Sequence, residues 1–125
     1  MKRLLALDDN PDSADLIVRL GTKCGYEARG ISDTRQLPGL LQSWKPDIIS
    51  LDLCMPEEDG IVVLSTLQEA GFAGDLVIIS GQDSWLRKSA SRLAAARGLK
   101  VTADFSKPLD LSAFRSLLSG PSQPD

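Results

Sequence analysis

Four hydrophobic runs of this chain end on groups that can do chemistry. Asp8 and Asp9 follow Arg3–Leu7, and Asp52-Leu53-Cys54-Met55-Pro56 follows Ile48–Leu51. Ser80-Gly81 follows Leu76–Ile79, and Lys107-Pro108 comes just after Lys100–Phe105. Gathered into one crevice, these ends supply three carboxylates, a hydroxyl and an ammonium, a set that suits a hard cation and a phosphoryl group. Adjacent strand residues point to opposite faces, so Asp8 and Asp9 can share a pocket only where the strand has ended. Crowded carboxylates raise each other's pKa unless a cation sits among them, and Mg²⁺ takes oxygen ligands while keeping several waters. The backbone carbonyl of Cys54 would add one oxygen. A carboxylate at Asp52 can act as a nucleophile toward phosphorus. Ser80 could donate to a phosphoryl oxygen, Gly81 would leave it room, and Lys107 would offset negative charge.

Each motif also has a plainer reading. Asp8-Asp9-Asn10-Pro11 could be a polar loop with a helix cap, and Met55–Gly60 a turn ended by glycine. Ser80-Gly81 could be a turn, and Lys107 a surface lysine before a proline; that Lys-Pro bond is a candidate cis peptide. What makes the set specific is agreement of order, strand-end placement and spacing. Asp9, Asp52, Ser80 and Lys107 are separated by 43, 28 and 27 positions, intervals of ordinary βα units.

The elements that must position these groups can be read from the hydrophobic pattern. Strands are expected over Arg3–Leu7, Glu27–Ile31, Ile48–Leu51, Leu76–Ile79 and Lys100–Phe105. The first, third and fourth are almost wholly apolar, as in parallel strands covered on both faces. Leu37, Leu40, Leu41 and Trp44 show helical spacing, as do Leu111, Phe114, Leu117 and Leu118. Leu16, Ile17 and Leu20 mark the first helix, with Asp12 or Ser13 as its cap. The third helix is expected to begin after Gly60 and stop at Gly71. The fourth is expected from about Asp83 or Ser84 to Gly98, with Trp85, Leu86, Ala90, Leu93 and Ala94 inward. This is an α/β chain: a three-layer, doubly wound (βα)5 parallel sheet of strand order 2-1-3-4-5, which binds ligands beyond the carboxyl ends of its strands. Residues 1–118 form the domain, and 119–125 read as a tail or the start of a linker.

Composition bounds the function. With 125 residues, 42% hydrophobic and 25% charged, one globular domain is expected. The net charge of −3, with no lysine or arginine run, argues against direct nucleic-acid binding. The early apolar run is too short for a signal core or a membrane span, so a cytoplasmic chain without membrane contact is expected. Cys24 and Cys54 match no zinc spacing and are expected to stay thiols. With no histidine, Ser-His-Asp and Cys-His chemistry and a phosphohistidine carrier role are excluded.

On these motifs the chain resembles the receiver domain of two-component response regulators (CheY-like) over about residues 3–118. The motifs are Leu7-Asp8-Asp9, Asp52-Leu53-Cys54-Met55-Pro56 with Gly60, Ser80-Gly81 and Lys107-Pro108-Leu109. The resemblance implies that Asp52 is the phosphoacceptor, and that Asp8 and Asp9 organise Mg²⁺. Ser80 and Lys107 would contact the phosphoryl group. The donor would be a sensor histidine kinase or a histidine phosphotransfer protein. The domain would catalyse only its own phosphorylation and dephosphorylation, and would switch an output domain or a downstream protein. One departure stands out: Asp104 occupies the position, three before the lysine, where receivers usually carry an aromatic switch. Phe105 is expected to be core instead, and phosphorylation to reorganise the fourth helix by another route. Ile79-Ser80-Gly81-Gln82-Asp83, Ala95–Val101 and Lys107-Pro108-Leu109 are also similar to receivers fused to cyclic-di-GMP phosphodiesterase (EAL) domains. A Mg²⁺-dependent phosphatase of the haloacid dehalogenase type is an alternative, although Asp8-Asp9-Asn10 lacks that family's D-x-D. A receiver-like module that is not phosphorylated is another, and a flavodoxin-like cofactor binder ranks last.

Overall fold

The structure, a computed structural model, describes residues 2–53, 57–81 and 84–119, with 57–59 and 84–87 described by backbone alone. Strands β1 (Arg3–Leu7), β2 (Glu27–Ile31), β3 (Ile48–Asp52), β4 (Asp75–Ser80) and β5 (Lys100–Ser106) alternate with five helices. These are α1 (Pro11–Lys23), α2 (Leu37–Ser43), α3 (Glu57–Glu69), α4 (Ser84–Ala96) and α5 (Leu111–Ser119). All neighbouring strands are parallel, in the order β2-β1-β3-β4-β5. The expected strand order and the doubly wound layers are therefore present.

Strand alternation sorts the apolar side chains into two cores. Leu5, Leu7, Ile49, Leu51, Leu76 and Ile78 face one side, where Leu37, Trp44, Val63, Leu64, Leu67 and Ala94 of α2, α3 and α4 cover them. Leu4, Ala6, Ile48, Val77 and Ile79 face the other, under Ala14 and Ile17 of α1 and Phe114 and Leu118 of α5. Burial on both faces explains why β1, β3 and β4 are nearly all apolar. Each fully buried leucine or isoleucine contributes roughly 1.5–3 kcal/mol relative to an exposed one.

Several local details differ from the sequence expectation. The cap of α1 is Asn10, not Asp12 or Ser13: its side chain accepts from Asp12 N at 2.9 Å, and Pro11 takes the first helical position. Asn-Pro is a strong start signal because proline lacks the N–H that a first-turn residue cannot use. Helix α3 begins at Glu57 rather than after Gly60. Gly60 therefore lies within its first turn. A 3-10 turn over Thr34–Gln36 leads into α2, capped by Asp33. The expected stops hold: Gly71 and Gly98, at φ 69° and 82°, reverse the chain after α3 and α4. The inward side chains expected at Trp85 and Leu86 lie outside the described residues.

Strand β5 carries a register shift opposite Leu76/Val77. Val101 pairs with Leu76 but Ala103 with Val77, so Thr102 is an extra residue. The shift lets Val101 pack toward α4 and Phe105 toward α5. Among the described residues no helix is long and apolar enough to cross a membrane.

Candidate phosphoryl-transfer site

The sheet brings its functional ends together as the sequence requires. Asp52 closes β3 and Ser80 closes β4, so both emerge at the carboxyl edge beside the residue after β1, Asp8. Leu53 N donates to Ile79 O at 2.7 Å and Lys107 N donates to Ser80 O at 2.8 Å, which aligns the ends of β3, β4 and β5. Asp8, Asp52 and Ser80 are each at most 1% exposed. The Lys107 ammonium lies 2.5 Å from Asp52 Oδ2. The Lys107-Pro108 bond is cis.

The electrostatics are unbalanced. Two buried carboxyl groups face one ammonium. Burial, followed by hydrogen bonding to Asp52, pushes the Asp8 carboxyl up to about 7. The Asn10 N–H, which donates to Asp8 Oδ1 at 2.9 Å, and the Lys107 charge pull the other way and lose. Two carboxylate oxygens can bond only through a proton, so contact with Asp52 keeps one on Asp8. Asp8 Oδ2 is buried and receives no donor from the protein. With Asp8 ionised, this oxygen would be an unsatisfied buried acceptor, at a cost of about 1–3 kcal/mol. A hard dication fits on both counts: it would satisfy that oxygen and allow both carboxyls to ionise.

The remaining predicted residues are less closely drawn in. Asp9 is exposed on the loop after β1. Among the described residues, no three acidic, histidine or cysteine side chains come together as a ready cation site. The crevice is therefore built on Asp8, Asp52 and Lys107, while Asp9 is exposed to solvent. The Cys54 carbonyl lies outside the described residues; Cys24 is a free thiol. Ser80 Oγ donates to the Gly81 carbonyl at 3.3 Å. A Cβ built on Gly81 meets nothing within 4 Å, so the end of β4 opens on free space.

Asp104 is exposed, while Phe105 is half-buried and meets Phe114 edge-to-face with ring centroids 5.7 Å apart. Phe105 is thus a core residue, as expected. Sequence reasoning missed Asn10, whose backbone holds Asp8 while its side chain starts α1. The Asn-Pro dipeptide was the available signal.

Comparison with known proteins agrees with this geometry. The response regulator receiver domain family matches residues 4–118. The regulatory protein VirG of Rhizobium rhizogenes is 28% identical over 114 residues, which cover 91% of this chain and 45% of that protein. The chemotaxis protein CheY of Thermotoga maritima is 29% identical over 80 residues, covering 63% of this chain and 67% of CheY. The DNA-binding regulator RpaA of Synechocystis sp. is 30% identical over 79 residues, only 33% of its length. The chain thus spans less than half of the longer regulators it matches. A response regulator from Colwellia psychrerythraea superposes with a TM-score of 0.84 at 30% identity, over 94% of both chains. With strand order, buried carboxylates and family match in agreement, this chain belongs to the response regulator receiver domains, signalling modules of two-component systems.

Proposed function

We propose that Asp52 accepts a phosphoryl group from a phosphohistidine of a sensor histidine kinase or a histidine phosphotransfer protein. The observation that carries this reading is the pairing of buried Asp52 with Lys107, with buried Asp8 beside it. A carboxylate oxygen of Asp52 attacks phosphorus in line, the P–N bond to the donor histidine breaks, and the imidazole leaves. The Lys107 ammonium, already at Asp52, offsets charge on the phosphoryl oxygens. The Ser80 hydroxyl turns from the Gly81 carbonyl to donate to one of those oxygens. Asp8, Asp9, Asp52 and the Cys54 carbonyl would hold Mg²⁺, the cation on which receiver domains generally depend. When bound, it supplies positive charge to the phosphoryl oxygens and lets Asp8 ionise. Hydrolysis of the acyl phosphate on the same residues returns the domain to rest, and no other substrate is turned over.

Residues 1–118 are the receiver, and 119–125 are a tail or the start of a linker. The switch acts on an output domain or a downstream protein; a phosphodiesterase of the EAL type is one such output. With Asp104 in place of the usual aromatic, α4 and its flanking loops respond by a route other than an aromatic swing. Mass spectrometry after treatment with acetyl phosphate or beryllofluoride, with Mg²⁺ titrated, tests the reading. One phosphoryl adduct on Asp52 is expected. Modification at another residue, or none at any Mg²⁺ concentration, would refute it.

A further inference from the structure

The two edges of the sheet are protected very differently. The β5 edge bends at its extra residue Thr102 and presents Lys100 and Asp104 to solvent. Such bulges and charges keep edges from pairing with other chains. The β2 edge, Glu27–Ile31, also exposes two charges, Glu27 and Arg29, but is a regular five-residue strand without proline, lysine or bulge, and among the described residues it pairs only with β1. Glu27 N donates to Lys2 O and Ile31 O accepts from Asp8 N, so odd-numbered residues bond inward. Hydrogen-bonding direction alternates along a strand, which turns the N–H and C=O of Ala28 and Gly30 outward. Gly30 is exposed, and with no side chain that exposure belongs to backbone. An open groove of about 520 Å³ runs along this edge, between Pro11, Asp15 and Val18 of α1 and Gln36 and Leu40 near α2.

We propose that the β2 edge pairs antiparallel with the β2 edge of a second copy, joining two sheets into one. Its charges choose both partner and register. A twofold axis at Ala28 makes Ala28 its own hydrogen-bonded partner and sets Glu27 of each copy opposite Arg29 of the other. These are non-hydrogen-bonded pairs, whose side chains approach most closely. Sliding the register to place Arg29 opposite Arg29 sets like charges together, which is unfavourable. Alanine at the axis and glycine two residues on leave the backbones unobstructed. Both charged side chains also have intramolecular contacts, Glu27 with Arg3 and Arg29 with the Trp44 ring, which hold them in place.

Analytical ultracentrifugation of the whole chain should show a concentration-dependent dimer. Arg29→Glu, which makes both cross-strand pairs repulsive, should weaken it by about tenfold. Glu27→Arg combined with Arg29→Glu should restore it, with circular dichroism confirming the fold. Because these changes also touch Arg3 and Trp44, a second probe leaves them intact. In a Cys24→Ser, Cys54→Ser background, Ala28→Cys should form an intermolecular disulfide far faster than Gly39→Cys on α2. A chain that stays monomeric up to about 1 mM, a dimer indifferent to Arg29→Glu, or equal cross-linking at both positions would overturn the proposal.

Discussion

Charged groups cluster at both ends of this sheet, and the two clusters are built on opposite principles. At the amino ends of the strands Arg3, Glu27, Arg29 and Asp47 are all engaged in contacts. Arg3 Nε bonds Glu27 Oε1 at 3.1 Å, Arg3 Nη1 donates to the Trp44 carbonyl, and Trp44 Nε1 donates to Glu27 Oε2 at 3.3 Å. The guanidinium carbons of Arg3 and Arg29 sit 5.6 and 5.0 Å from the Trp44 ring centre, and Asp47 Oδ2 accepts from Arg3 N at 2.8 Å. The Trp44 and Arg3 hydrogen bonds hold the Glu27 carboxyl below its ordinary range. At the carboxyl ends the carboxyls outnumber the ammonium, Asp8 and Asp52 are almost fully buried, and Asp8 is pushed the opposite way. The same residue types thus stabilise the fold where they are matched and exposed, and store an imbalance where they are buried. That imbalance is one that the proposed cation would relieve.

The sharpest way to break the comparison is Asp52→Asn. We expect complete loss of the phosphoryl adduct in intact-mass spectra with an unchanged far-ultraviolet spectrum. Next is Asp8→Asn. Removing one of two crowded carboxyls should raise the thermal midpoint by several degrees above neutral pH without divalent cations, while impairing labelling. A fall in midpoint would show that the site is not electrostatically frustrated.

The pH dependence follows from the same residue. Between the ordinary carboxylate range and about 7, the folded chain keeps a proton on Asp8 that the unfolded chain has lost. Stability should therefore decline as pH rises through that window, and Asp8→Asn should flatten the decline. Millimolar Mg²⁺ should raise the wild-type midpoint by a few degrees, more at high pH than at low, because it binds the ionised pair of the folded state only. A shift that is the same at all pH values would separate cation binding from Asp8. Smallest is Arg3→Ala at the opposite end, expected to lower the midpoint by about 2–5 °C with labelling unaffected. Lost labelling there would mean that the two ends are coupled.

Much of this was legible before any fold was in view. Almost wholly apolar strand runs ending on Asp8, Asp52 and Ser80 placed those groups at one edge, because in a parallel sheet the carboxyl ends of the strands lie on the same side. Phe105 was legible as core from its parity with its neighbours. The α1 cap was misread because Asp12 and Ser13 are also good caps, and only backbone geometry picks Asn10. The start of α3 was misread because Gly60 reads as the end of a turn, whereas the helix takes that glycine into its first turn. Thr102 gave no sign of being an extra residue, since a bulge depends on pairing with β4.

By itself the sequence determined the alternation of elements, the burial of both sheet faces and the residues delivered to the carboxyl edge. Those follow from hydrophobic period and chain connectivity, which are local properties. The tertiary structure decided how far those residues interact. It closed Lys107 onto Asp52, buried Asp8 beside the pair while leaving Asp9 outside, and turned Arg3, Glu27 and Trp44 into a balanced network. Such outcomes depend on distances and desolvation among groups far apart in the chain, and these exist only once the layers have packed.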